Sequence, residues 1–501
     1  MEVLDNLVLG FSIALTFQNL LYCLIGCVVG TLIGVLPGIG PVATIAMLLP
    51  LTFHLPPTSA LIMLAGIYYG AQYGGSTTAI LVNLPGEASS VVTALDGYKM
   101  AQKGRAGAAL SISAVGSFFA GTVGTILIVL FAPALTAMAQ KFGPAEYCSL
   151  MALGLVAAVV LASGSVIKAI SMVFLGLLVG LIGTDVNTGA QRFTFNIPEL
   201  SDGIDFAPIA MGLFGIAEII ANLEKRINRT VGAMRIDSLW PTRDEIRQAI
   251  PAVLRGTTLG SLLGVLPGGG PTLGAFSAYT LEKKLSKHPE EFGKGAVAGV
   301  AAPEAANNAA AQTSFIPMLT LGIPSNAVMA LMVGAMIIQG IQPGPEVMTK
   351  KPDLFWGMIA SMWVGNAMLV IINLPLIGIW VRLLTVPYRF LYPSILLFCC
   401  IGAYSLQNST FHVMMVGLFG VIGYIFLKLG GEGAPFLLGL VLGPQMEEYF
   451  RRAMLLSRGD ATVFVTRPIS AGLLAVTSVL LIIMVLPNFR KKREEAFQDD
   501  G

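Results

Sequence analysis

The stretch GCVVGTLIGVLPGIGP, residues 26–41, returns at residues 256–271 as GTTLGSLLGVLPGGGP, with ten of its sixteen positions identical. Gly26, Gly30, Gly34 and Gly38 keep step with Gly256, Gly260, Gly264 and Gly268, as do both prolines. Glycines four apart share one helix face and let a neighbouring backbone come close. The endings PGIGP and PGGGP cannot continue a helix, because proline lacks an amide donor and glycine admits unusual dihedrals. Irregular backbone of this kind survives at membrane depth only where protein encloses it or where it lines a wet cavity.

The composition places the chain in a membrane. Only 12% of the 501 residues are charged and 55% are hydrophobic, with a mean hydropathy of +0.78. Such a chain cannot cover itself for water. Residues 6–86, 106–140, 305–345, 354–381, 390–427 and 468–489 contain no Asp, Glu, Lys or Arg. A spanning helix needs about 20 apolar residues, so each of these deserts holds one or more spans. The expectation is an all-α polytopic membrane protein with about eleven to thirteen transmembrane segments. A net charge of +2 gives no case for nucleic acid. The first residues carry no Lys or Arg, unlike a cleaved signal peptide, so the N-terminus is expected to be retained. The five cysteines lack metal spacing and read as small core- or lipid-facing residues.

The repetition extends beyond the opening stretch. ILVNLPGEASSVVTALDG from Ile80 resembles MLTLGIPSNAVMALMVGA from Met318, aligning Pro85 with Pro324, and SMVFLGLLVGLIG from Ser171 resembles MMVGLFGVIGYIF from Met414. The preserved order implies a duplicated half. We divide the chain into a first transmembrane repeat at 1–222, a cytoplasmic linker at 223–250, a second repeat at 251–445, and a final span with a basic cytoplasmic tail at 446–501. The linker holds Lys225, Arg226, Arg229, Arg235, Arg243 and Arg247, and the tail begins RKKREE at Arg490. The positive-inside rule puts both in the cytoplasm and the N-terminus outside. A half that runs from outside to inside has an odd number of spans, so the second copy is inverted; parallel repeats are the alternative.

Paired helix breaks in two repeats point to a binding site near the bilayer midplane. The first pair offers Pro37, Gly38 and Gly40, with Pro267, Gly268, Gly270 and Thr272, as substrate-binding candidates. A second pair is richer in polar atoms. YGAQYGGSTTAILVNLPGEASS supplies Ser76, Thr77, Asn83, Pro85, Gly86, Ser89 and Ser90, and EAANNAAAQTSFIPMLTLGIPSNA supplies Pro324, Ser325 and Asn326. An apolar helix, a proline-bearing tip and a small polar run that starts another helix read as a re-entrant hairpin. The N–H groups after each tip suit a carboxylate. Gln72, Thr78, Asn307, Asn308, Gln312, Thr313 and Ser314 are cation-coupling candidates, with oxygen ligands suited to Na⁺ near the hairpin tips.

Single charges complete the reading. Glu87 and Glu304 flank the hairpins and mark either the interface or a functional site. Asp96 and Lys99, before Lys103 and Arg105, read as a solvated face. His412, in an apolar run, is a satisfied polar residue or a proton relay. Enzyme chemistry is not expected: the three histidines are His54, His288 and His412, no HExxH or GxSxG occurs, and no GxxxxGK[ST] is present to drive an ATP-dependent pump.

GTLIGVLPGIGP, GIYYGAQYGGSTTAILVNLPGEASS, GSLLGVLPGGGP and PEAANNAAAQTSFIPMLTLGIPSNA, taken together, resemble the large permease subunit of the tripartite tricarboxylate transporters, the TctA family. The resemblance implies a bacterial inner-membrane secondary transporter that imports a small di- or tricarboxylate such as citrate. It also implies a small integral membrane subunit and a periplasmic solute-binding protein as partners. Ion coupling follows from it, with Na⁺ favoured over H⁺ because few cationic side chains occur in the matched motifs, and no other cofactor is implied. Paired hairpins suit elevator-like movement, with rocking as the alternative, and a passive carboxylate channel is the competing function.

Overall fold

The computed structural model describes residues 2–36, 40–162, 165–185, 188–224, 238–266, 270–383 and 388–485. The first part of the chain forms α1 (Glu2–Ala14), α2 (Phe17–Val35), α3 (Pro41–Thr52), α4 (Pro57–Val82), α5 (Val91–Gln102), α6 (Ala106–Ala139), α7 (Pro144–Leu161) and α8 (Val166–Gly180). A short antiparallel pair, β1 (Gly183–Thr184) and β2 (Gln191–Arg192), precedes α9 (Phe206–Ala210), a π-helical turn (Met211–Ile216) and α10 (Ala217–Glu224). The later part forms α11 (Arg243–Val265), α12 (Gly270–Leu285), α13 (Ala298–Thr313), α14 (Phe315–Leu321), α15 (Ala327–Ile338), α16 (Pro345–Lys350) and α17 (Pro352–Asn373). It closes with α18 (Ile377–Leu383), α19 (Tyr388–Gln407), α20 (Thr410–Lys428), α21 (Gly433–Leu456), α22 (Val463–Thr466) and α23 (Pro468–Val485). The chain is thus all-α and polytopic, as its composition implies.

Among the described residues, five helical segments are long and apolar enough to cross a bilayer: Phe17–Val35, Ala106–Ala137, Phe206–Glu224, Pro352–Asn373 and Thr410–Lys428. Shorter apolar helices, among them Pro41–Thr52 and Ala327–Ile338, account for others of the charge-free stretches. Glycine and proline cut the apolar sequence into pieces shorter than a full span.

Helices α4 and α13 are a different case. Every residue from Ser59 to Leu81 and from Gly299 to Thr313 is buried, although these helices carry the polar Gln72, Ser76, Thr77, Thr78, Glu304, Asn307, Asn308 and Gln312. A helix enclosed on all sides by protein can hold polar groups at membrane depth that a lipid-facing helix cannot.

The glycine faces explain how these two helices are held. Gly26, Gly30 and Gly34 of α2 lie against the backbone at Met63, Ile67 and Ala71 of α4, so an added Cβ would strike main chain. Gly66, Gly70 and Gly74 of α4 return the contact to α2, where a Cβ on Gly70 would stand 2.6 Å from the Cys27 carbonyl. In the second part, Gly256, Gly260 and Gly264 of α11 meet Ala302, Ala306 and Ala310 of α13. The three contact positions on α4 precede those on α13 by 239 residues, the same offset that separates Pro85 from Pro324. Close backbone approach adds dispersion contact where lipid offers no hydrophobic driving force.

The remaining helices pack by the same device. Gly176 of α8 lies on the Phe436 carbonyl of α21, and Gly439 of α21 lies on the Val173 carbonyl. Gly212 in the π-helical turn meets α20 at Val416 and Gly420. All five cysteines are free; Cys23, Cys27, Cys148 and Cys399 are buried and Cys400 is exposed.

Candidate functional site

Two tips lie at equivalent places, one at the end of α4 and the other at the end of α14, the short helix that follows α13. Helix α4 ends at Val82 with Asn83 in the left-handed region, φ 56°, and α14 ends at Leu321 with Gly322 at φ 75°. A proline follows two residues later in each, Pro85 and Pro324, and the next helical turn starts one residue after an extended capping residue, Glu87 in one tip and Asn326 in the other. Left-handed backbone suits glycine and asparagine, which is why those residues end these helices. Gly86 must be glycine because it packs against Gly34 and Gly75, where there is no room for a side chain.

The two caps differ in charge. Asn326 accepts from the backbone N–H of Met329 at 2.9 Å, capping α15, and donates from Nδ2 to the Ser314 hydroxyl at 3.2 Å. Glu87 puts a carboxylate at the corresponding place. It accepts from the Ser89 hydroxyl and from Nδ2 of Asn307 on α13 at 3.2 Å. Ser89 also lies 3.2 Å from Oε1 of Gln72 on α4. Next to this group the buried Oδ1 of Asn307 has no hydrogen-bond partner, nor has Oε1 of Gln312 further along α13. Tyr68 is buried beside both Glu87 and Asn326, with its hydroxyl directed at the Asn326 side chain. Buried polar atoms are rarely left unpaired, so the free oxygens of Asn307 and Gln312 make this the candidate site.

A second carboxylate lies deeper. Glu304 of α13 is fully buried and draws hydroxyls from three helices: Ser76 of α4 at 2.6 Å, Ser113 of α6 at 3.0 Å, and Thr93 of α5. No Lys, Arg or His among the described residues forms an ion pair with Glu304 or Glu87. Hydroxyl donors are what allow a carboxyl group to stay inside the protein without a cationic neighbour. The same region corrects the reading of Asp96 as a solvated residue. It is fully buried, accepting from the amides of Gly295 and Ala296 at 2.7 and 2.8 Å and from the Tyr279 hydroxyl at 3.0 Å. Its partners come from a segment some 200 residues away, out of sight of any local pattern. His412 is 2.6 Å from Asp205 through Nε2.

The other sequence candidates fall as follows. Thr77 bonds to the Tyr73 carbonyl within α4, and Thr78 to the carbonyls of Gly74 in α4 and Val35 in α2, joining the two helices. Ser90 bonds to the Glu87 carbonyl and tightens the first tip. Asn308 donates to the Ser117 hydroxyl at 2.7 Å and to the Glu304 carbonyl. Thr313 and Ser314 return bonds to the carbonyls of Ala309 and Ala310, and Ser325 bonds to the Ser314 carbonyl at 3.4 Å. Gly40 precedes α3, and Gly270, at φ 54°, opens α12 with a Cβ position 3.4 Å from Asn326, so the second break touches the second tip. Thr272 follows in the first turn of α12. Pro37, Gly38, Pro267 and Gly268 lie outside the described residues. Sequence reading passed over Tyr68, Thr93 and Ser113, single polar side chains whose partners lie on other helices and leave no local signal.

The profile described as "Tripartite tricarboxylate transporter TctA family" matches residues 20–438. The chain is 58% identical over 500 residues to an uncharacterized 52.8 kDa protein in the TAR-I ttuC′ 3′ region of Agrobacterium vitis, covering all of both chains. It is 61% identical over 241 residues to an uncharacterized protein in the TAR-II ttuC′ 3′ region of the same organism, covering 48% of this chain and all of that one. No solved structure matches.

Proposed function

The chain belongs to the tripartite tricarboxylate transporter TctA family, and from that membership and the two tips we propose that it is the large membrane subunit of an ion-coupled symporter importing a small di- or tricarboxylate such as citrate. The observation that carries the reading is the unlike pair of caps, Glu87 in one tip and Asn326 in the other. The N-terminus of α15, with Ser325 and Asn326, offers neutral donors and the positive end of a helix dipole to a substrate carboxylate. Glu87 would repel that substrate until a cation neutralises it. Binding of each then favours the other, which is what coupling requires.

The residues at the first tip fit Na⁺, a hard cation that takes oxygen ligands. The Glu87 carboxylate, the Ser89 hydroxyl, Oε1 of Gln72 and the unpartnered Oδ1 of Asn307 are the groups that would hold it. H⁺ on Glu87 is the alternative coupling ion. Two tips, each carried between helices, suit movement of the site past a fixed scaffold in elevator-like alternating access. The partners in this reading are a small integral membrane subunit and a periplasmic solute-binding protein. The chain sits in a bacterial inner membrane, its N-terminus periplasmic and its C-terminus cytoplasmic.

The test is uptake of radiolabelled carboxylates into proteoliposomes holding this chain and the small subunit, with binding protein outside and an imposed Na⁺ or H⁺ gradient. Accumulation above equilibrium that follows one gradient supports symport. Equilibration without accumulation under every gradient, by folded and complete protein, supports the passive channel instead.

A further inference from the structure

An apolar groove of about 920 Å³ opens on the outside of the helix assembly, away from both tips. Ile112, Val115 and Phe119 of α6 form one wall, Ile250 and Leu254 of α11 another, and Ile371 of α17 a third. Trp240 and Pro241, just before α11, lie at its end. That end is fixed in place: the Ser111 hydroxyl bonds to the Leu239 carbonyl at 2.5 Å, and Gly107 of α6 packs against Ser238.

We propose that this groove is a binding site for an anionic phospholipid of the leaflet that faces the basic linker. Length decides between a lipid and a partner's transmembrane helix. The lining residues of α11 end at Leu254, three turns from its start at Arg243, about 16 Å at about 1.5 Å per residue. On α6 they stop at Phe119, and on α17 they come only from its last turn and the residues just after it. The groove therefore reaches about half of the roughly 30 Å hydrocarbon thickness. Acyl chains of one leaflet fill that depth; a spanning helix would run past it.

The mouth supplies the headgroup contacts. Trp240 is 85% exposed, an indole at the edge of an apolar surface, as interfacial tryptophans are. Arg243 and Arg247, one turn apart at the start of α11, are exposed and have no ion-pair partner among the described residues. The neighbouring Arg105 and Glu245 are paired with each other, and Asp244 is the remaining acid of the first turn. Arg243, Asp244 and Arg247 leave one net positive charge beside the mouth, complementary to the net negative charge of an anionic headgroup; a zwitterionic headgroup carries the same phosphate diester but offsets it with its own cation.

The experiment is native mass spectrometry of the full chain purified with equal amounts of phosphatidylglycerol and phosphatidylcholine of identical acyl chains. Wild type is expected to retain phosphatidylglycerol about five- to thirtyfold over phosphatidylcholine, the scale of one or two basic contacts at an anionic headgroup. The double variant Arg243→Gln, Arg247→Gln is expected to lose that preference while keeping its thermal stability, since neither side chain packs in the core. Ile250→Trp, which fills the groove, is expected to lower retention of both lipids. Equal retention of the two lipids by wild type overturns the proposal, as does a preference unchanged in the double variant. Loss of bound phosphatidylglycerol when the small membrane subunit is present would overturn it in favour of a protein occupant. None of these readouts depends on transport.

Discussion

Asn307 donates its side-chain amide to Glu87 at 3.2 Å, a bond between residues 220 apart in sequence. It joins the first tip to the polar helix of the second part and leaves the buried Oδ1 of Asn307 free to face a ligand. Glu87→Gln keeps the shape and removes the charge. Gradient-driven uptake by this variant is expected to fall at least tenfold and to lose its dependence on the driving ion. A hydrogen bond to a charged group is worth about 1.5–3 kcal/mol, about ten- to a hundredfold in binding. Uptake measured against cation concentration, with and without the substitution, checks this; unchanged ion dependence in Glu87→Gln would remove the first tip from coupling.

The glycine faces predict a sharp contrast between positions. Gly260→Val in α11 places a side chain 2.6 Å from the Ala306 Cα and is expected to lower stability by about 1–3 kcal/mol, as overpacking does. Gly417→Ala in α20, where nothing lies within 4 Å, is expected to be neutral or to stabilise by up to about 1 kcal/mol. Thermal unfolding of the two variants in the same detergent separates the outcomes.

Removing the hydroxyls around Glu304 tests its support. Thr93→Val and Ser113→Ala each delete one donor to a fully buried carboxyl group and are expected to cost about 1–3 kcal/mol. Because the two donate to the same group, the double variant should depart from additivity. A denaturation series on the singles and the double measures the coupling, and additive losses would show that the hydroxyls act independently.

Outside the five candidate spans, the β1–β2 loop is tied to α21. Arg192 bonds to Glu447 at 2.9 Å and to Asp185, and Arg451 reaches Glu447 at 2.7 Å and Asp185 at 3.2 Å. The Arg192 guanidinium, with Arg451, holds the Glu447 carboxyl below its ordinary range against a smaller opposing effect of burial. A depressed carboxylate pKa contributes stability that is present above its unfolded value, about 4.3, and lost as pH falls through the folded value. Hydrogen exchange of residues 188–201, corrected for intrinsic rate, is therefore expected to speed up as pH drops below about 4. Arg192→Gln should show the faster exchange already at neutral pH.

The membrane class, the all-α architecture and the family were legible in the sequence. Hydropathy is a local sum along the chain, and a stretch such as residues 6–86 without one charged residue has a single physical reading. The tips were legible for a similar reason, because Pro85 and Pro324 fix their backbone dihedrals wherever they stand, and Asn83 and Gly322 are residues that accept the left-handed turn before them. Tertiary structure alone decided which polar atoms meet. Glu304 meets Thr93, Asp96 meets Ala296 and Glu87 meets Asn307 across some 200 residues. A hydrogen bond depends on distances of a few tenths of an ångström between helices, and helix spacing here is set by glycine against backbone, summed over several packed pairs. Sequence pattern records which residues are polar and where chains must break; only the packed fold turns Asp96 from an apparent surface charge into a buried acceptor of two amides.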